Sequence, residues 1–155
     1  MEQRKLAVWL KAVMIGLGVI GAVLLAAVIP YLTKQIGGEN GKPMVLNVWI
    51  WISGIPPYIV LFIVWKIADS IGKNQSFTFK NAKRIERIAQ LAAADSLYWF
   101  IGLVIFLFRN EVTVHAFASG MFVVFAGVCI AVVAALFSHL VQKAAVLQNQ
   151  EDLTI

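Results

Sequence analysis

The sequence predicts an all-α membrane protein: four transmembrane helices in an up-down bundle, with the N and C termini both inside. Three observations lead there. Of the 155 residues, 61% are apolar and only 14% charged, against roughly 45–50% and about 25% in soluble domains. Four apolar stretches, at 12–32, 44–65, 88–108 and about 116–141, each match the ~20 residues needed to cross about 30 Å of hydrocarbon. The basic residues also collect in alternate connections. Disorder is excluded because disordered chains are poor in apolar residues. A disulfide scaffold is excluded because Cys129 is the only cysteine. A β-barrel would alternate apolar and polar residues, whereas these stretches are apolar on every face.

The first stretch carries no charge. Its length exceeds the 7–15 residues of a signal-peptide core, and Ala26 and Val28 make a poor cleavage site, so a retained helix is expected. The second, also uncharged, contains Pro56 and Pro57. Neither has an N–H, so the carbonyls of Ile52 and Ser53 lose their donors and a kink is predicted. The third carries one charge, Asp95. The fourth ends near His139 and should bury Cys129. The connection at 33–43 is Gly-rich, polar and too short for a domain. The one at 109–115 is shorter still and makes the third and fourth helices a hairpin. A single integral membrane domain, 1–155, is expected.

The loop at 66–87 is the most informative. Lys66 to Ile71 should prolong the second helix, and Gly72, Lys73 and Asn74 should break it. Thr78 or Ser76 can cap a new helix by accepting a first-turn N–H. Ile85, Ile88 and Ala92 then share one face, with Lys80, Lys83, Arg84 and Arg87 around the rest. Such an amphipathic segment suits headgroups or the bundle, with Phe77 and Phe79 dipping into the interface. It is either an anchor fixing helix depth or a docking surface.

Lys and Arg mark the cytoplasmic side of short loops. Arg4, Lys5, Lys11, Lys66, Lys73, Lys80, Lys83, Arg84, Arg87 and Lys143 fall on one side, against Lys34, Lys42 and Arg109 on the other. The termini, the 66–87 loop and the 142–155 tail should therefore be cytoplasmic. Trp9 and Trp65 would mark the inner interface, and Tyr31 and Trp49 the outer. The net charge of +5 is then topology, suited to an anionic inner leaflet, and direct nucleic-acid binding is not needed to explain it.

Two segments, Phe77-Thr78-Phe79-Lys80-Asn81-Ala82-Lys83-Arg84-Ile85 and Leu147-Gln148-Asn149-Gln150-Glu151-Asp152-Leu153-Thr154-Ile155, together with the layout of the spans, resemble the YoaS-like family of small bacterial four-helix membrane proteins. Lys80 stands where that family pattern leads one to expect an acidic residue. The family is one of unknown function, so the resemblance implies no catalytic role. It does imply partnership with a small helix-turn-helix regulator.

Asp95 lies seven residues beyond Ile88, about 10 Å into the span. A charged Asp at mid-helix costs about 2.5–3.5 kcal/mol, so it should face the bundle, paired or protonated. Tyr98 shares its face. Ser53, Tyr58 and the freed carbonyls of the second span could meet it, or Lys66 or Lys11 could pair with it. The site is then either proton- or cation-coupled or a polar clamp. Asn47 and Ser53 are expected to be interhelical glue.

The run Gly16-Leu17-Gly18-Val19-Ile20-Gly21 matches a dinucleotide fingerprint, but its place within an apolar span excludes that use. Gly18, Ala22 and Ala26 recur at four-residue spacing, as do Gly127, Ala131 and Ala135. Pairing these stripes would close the bundle, and homodimerisation through one of them is the alternative. His115 and His139 fall at opposite faces, about 30 Å apart, and cannot share a metal. No nucleophile lies near a base, and no cofactor is called for. The expected function is non-enzymatic: sensing the bilayer or a small amphiphile and engaging a cytoplasmic partner. Contact would be made through the basic loop, with Lys80, Lys83, Arg84 and Arg87, and through the tail, with Leu153 and Ile155. A small transporter or channel subunit using Asp95 is the alternative.

Overall fold

The computed structural model describes residues 2–36 and 43–154, which are helical apart from short connections. Ile155 lies outside the described residues. Helix α1 (Glu2–Val23) passes through a π-helical turn (Leu24–Val28) into α2 (Ile29–Ile36). Helices α3 (Pro43–Ser53) and α4 (Ile55–Gly72) form the second span, α5 (Phe79–Phe108) the third and α6 (Val114–Thr154) the fourth. Four helical stretches are thus long and apolar enough to cross a membrane. Their large apolar side chains point outward, as Phe122, Phe125, Val133 and Leu136 do. Outward-facing side chains of this kind suit lipid and would aggregate in water.

Local chemistry sets the breaks. The second span is offset at Gly54, with Pro56 and Pro57 in the first turn of α4, where a missing N–H costs least. The π turn was not expected. It lies just ahead of Pro30, which cannot donate to Ala26, and the Ile29 N–H reaches back five residues to Leu24 O. Helix α4 ends at Gly72, and Asn74 adopts φ 58° in the turn that follows. Thr78 is the N-cap of α5, its hydroxyl accepting from the Asn81 N–H at 3.3 Å. Asn110, at φ 52°, turns the chain between α5 and α6.

The helices alternate in direction and pack in chain order: α1 on α4, α4 on α5, and α5 on α6 along nearly its full length. Among the buried and half-buried positions on α5, Ala82, Ile85, Ala89, Ala92, Ser96, Trp99, Leu103 and Phe106 form one series. On α6 the corresponding series is Gly120, Val124, Gly127, Ala131, Ala134, Ser138, Val141 and Ala145. Both series step alternately by three and four, the 3.5-residue repeat of a left-handed antiparallel pair. Gly120 sits under Leu103, and Gly127 against Ser96. Ser138 donates to Ala82 O at 2.8 Å. A Cβ at Gly127 would collide with Ser96 Oγ.

The expected pairing of the first and fourth spans does not form. Gly18 faces Leu61 and accepts a hydrogen bond from Tyr58 at 2.9 Å, both from α4, while Ala22 and Ala26 are exposed. On α6, Gly127 and Ala131 face α5, but Ala135 is exposed and Ala134 takes the inward place. A strict four-residue step drifts off a seam that advances by 3.5. Cys129, expected to be buried, is exposed on the outer face of α6. The tail is not separate either, because α6 runs through it to Thr154.

In a Cys129→Ser background, cysteines at Ala82 and Ser138 should therefore cross-link on oxidation, read as a shift on non-reducing gels. Cysteines at Ala22 and Ala131 should not.

Candidate functional site

At the end of the molecule that carries the 73–78 turn, α4 and α5 are joined by one arginine. Arg84 Nη1 donates to Lys66 O at 3.0 Å, to Ser70 Oγ at 3.2 Å and to Asn81 Oδ1 at 2.9 Å. Asn81 is only 1% exposed, and its Nδ2 donates to Gln75 O and Ser76 O at 3.0 and 3.1 Å. The Thr78 cap fixes the first turn of α5, Asn81 ties the loop to that turn, and Arg84 ties the turn to α4. Lys80, Lys83 and Arg87 are exposed around this clamp. The sequence grouped Arg84 with them as a contact residue, and its Nη1 also holds two helices together. Asn81 was overlooked. Its signal was an amide one residue before Ala82, inside the apolar face of a basic helix.

Between α4 and α5 lies a groove of about 790 Å³. Its upper rim carries Lys66, Lys80, Lys83, Arg84 and Arg87, and its lower wall is made of Ile59, Phe62, Ile63, Leu91 and Ala94. Lys66 Nζ rests over the Phe62 ring, 4.4 Å from its centroid. Nearby, Lys11 is bound to Asp69 and lies over the Trp65 ring.

Asp95 occupies a different space. With Leu17, Pro56, Pro57, Leu61, Ala92 and Gly127 it lines a cavity of about 330 Å³ within the spans. Its Oδ1 is buried without a hydrogen-bond partner. None of the expected partners reaches it. Ser53 donates to Ile50 O at 2.8 Å and Tyr58 to Gly18 O. Tyr98 donates to Trp49 O at 3.0 Å. Lys66 and Lys11 are engaged as described. Tyr98 belongs instead to an aromatic lock at the opposite end, where Trp49 stacks on Tyr98 at 5.6 Å and meets Trp99 and Phe106 edge-on at 4.5 and 5.3 Å. Trp49 was expected as an interfacial belt residue. It packs against α5 over Gly102, where a Cβ would strike its indole. Asn47, accepting from the Thr33 hydroxyl at 2.9 Å, is glue between the first and second spans, as expected.

Beyond Ala145, α6 has no buried residue. Residues 146–154 form an arm about 14 Å long at 1.5 Å per residue. Leu153 on it is 86% exposed.

Residues 40–155 match the family model described as "Protein of unknown function (DUF2975)". The chain belongs to this family. It is 26% identical to the uncharacterized membrane protein YoaS of Bacillus subtilis (strain 168) over 110 residues, which cover 70% of this chain and 69% of that protein. No solved structure matches. The family resemblance read from the sequence holds, and it places this chain among membrane proteins.

Replacing Arg84 by Gln should lower stability by about 1.5–3 kcal/mol, the range for hydrogen bonds to a charged group. Lys83→Gln, on the exposed face, should stay within about 0.5 kcal/mol. Thermal melting in detergent checks both.

Proposed function

We propose that this member of the family is a non-enzymatic sensor of the bacterial inner membrane. Its termini and its basic loop face the cytoplasm, where it holds a soluble partner. The observation that carries the reading is the C-terminal arm. Isolated helices of this length are marginal in water, and this one is extended from a membrane-anchored helix with every residue from 146 to 154 exposed. Val146, Leu147 and Leu153 leave apolar surface on it beside Glu151 and Asp152. Such a helix can enter a groove on another protein. Lys80, Lys83 and Arg87 stand exposed at the same end and suit an acidic rim on that partner. The resemblance to the YoaS-like family supports a small helix-turn-helix regulator in this role, held at the membrane and away from DNA. A photo-cross-linking residue at Leu147 or Leu153 should capture such a regulator in living cells, and one at Phe125, on the lipid face, should not. Adducts with lipid alone at all three positions would end the reading.

A second reading rests on Asp95. A buried carboxylate oxygen without a partner, in a cavity among spans, suits a proton or a small cation. On this reading Asp95→Asn abolishes ion-driven flux in proteoliposomes while the melting curve is kept. Partner capture at Leu153 is then unaffected, which separates the two readings.

A further inference from the structure

The groove between α4 and α5 has a built-in division. Its five cations all lie at one end: Lys66 closes the uncharged part of the second span, and Lys80, Lys83, Arg84 and Arg87 precede the third. Its apolar wall lies deeper. From Lys66 back to Ile59 is seven residues of helix, about 10 Å at 1.5 Å per residue. No acidic side chain lines it, and Asp69, the nearest carboxylate along α4, is paired with Lys11 on α1. The cations would repel one another in a groove with nothing between them. Arg84 is already ordered by three hydrogen bonds, all from Nη1, so that among the described residues no protein acceptor takes Nε or Nη2. A guanidinium held this way presents a preformed edge to a phosphate.

We propose that this groove is a binding site for one anionic phospholipid of the adjoining leaflet, its phosphate held by Arg84, Lys80, Lys83 and Arg87 and the start of an acyl chain lying along Phe62, Ile63 and Leu91. Charge selects the headgroup, and the apolar wall requires that the ligand carry a chain. Neither a soluble phosphate nor a zwitterionic lipid satisfies both halves. Basic pockets between transmembrane helices at a membrane face commonly take such headgroups. The site shares Lys80, Lys83 and Arg87 with the partner reading, but the arm at 146–154, which carries that reading, forms no part of it.

Native mass spectrometry of the delipidated full chain, titrated with phosphatidylglycerol, phosphatidylethanolamine or inorganic phosphate, tests the site. One phosphatidylglycerol should bind ahead of all others. The combined change Lys80→Gln, Lys83→Gln and Arg87→Gln should weaken it by at least about tenfold. Removing as much charge from the same end outside the groove, by Arg4→Gln, Lys5→Gln and Lys143→Gln, should leave it unchanged. Leu91→Trp, which fills the apolar wall and keeps every cation, should also expel the lipid. Equal retention of phosphatidylethanolamine overturns the proposal, as does equal weakening by the two charge sets. Phosphate competing as well as lipid, or a Leu91→Trp protein that still holds lipid, overturns the role of the chain. Melting curves of each variant show that loss of lipid is not loss of fold. Leu147→Asp should weaken capture by a photo-cross-linking residue at Leu153 and leave lipid binding intact, so the two proposals fail separately.

Discussion

Close approach of α5 and α6 is the constraint on which the rest of this molecule depends. In lipid, apolar surface gains little by leaving its surroundings, so helices associate where backbones can come near and dispersion contacts accumulate. Gly120, Gly127, Ala131 and Ala134 on one helix, and Ala82, Ala89 and Ala92 on the other, make that approach possible. Ser138 adds one interhelical hydrogen bond near the start of α5. The hairpin is a rigid platform, and α4 and α1 are laid against it in turn.

That order explains where the two unusual spaces arise. The second span is held to α5 at its two ends, on α4 by Arg84 and on α3 by the Trp49 aromatic lock. Between them the Gly54 offset and the proline pair displace α4, and the contact opens. The cationic groove lies just inside the first fastening, and the Asp95 cavity lies level with Pro56 and Pro57. A polar clamp would have closed the second space, but each candidate partner finds a nearer acceptor on a neighbouring backbone or is held by an aromatic ring.

Much of the architecture was legible because it is local. Apolar stretches with at most one charge fix the spans, Gly72 to Asn74 and Thr78 fix a stop and a start, and a short connection fixes a hairpin. Helix pairing was not legible. Where a helix is apolar on all sides, hydropathy cannot orient it, and small residues at 127, 131, 134 and 135 fit a step of four as readily as alternating steps of three and four. Only the facing helix, with Ser96 and Ala82, chooses between them. Arg84 was read as surface charge because its acceptors, a carbonyl and a serine, come from another helix. Pro30 did carry its signal, since a proline in a span must disturb the turn before it, and the π turn is that disturbance.

The uninterrupted course of α6 has a mechanical meaning. No glycine or proline follows Gly127 in it, so nothing between there and Thr154 can hinge. From Gly127 to Leu153 is about 39 Å of stiff rod at 1.5 Å per residue. A tilt of the α5–α6 pair by about 10° about the level of Gly127, within the scatter seen among helix crossings, would swing the far tip by about 7 Å. On the proposed sensing reading, a change in bilayer thickness felt deep among the spans would reach the tip of the arm as a lever stroke the size of a side chain.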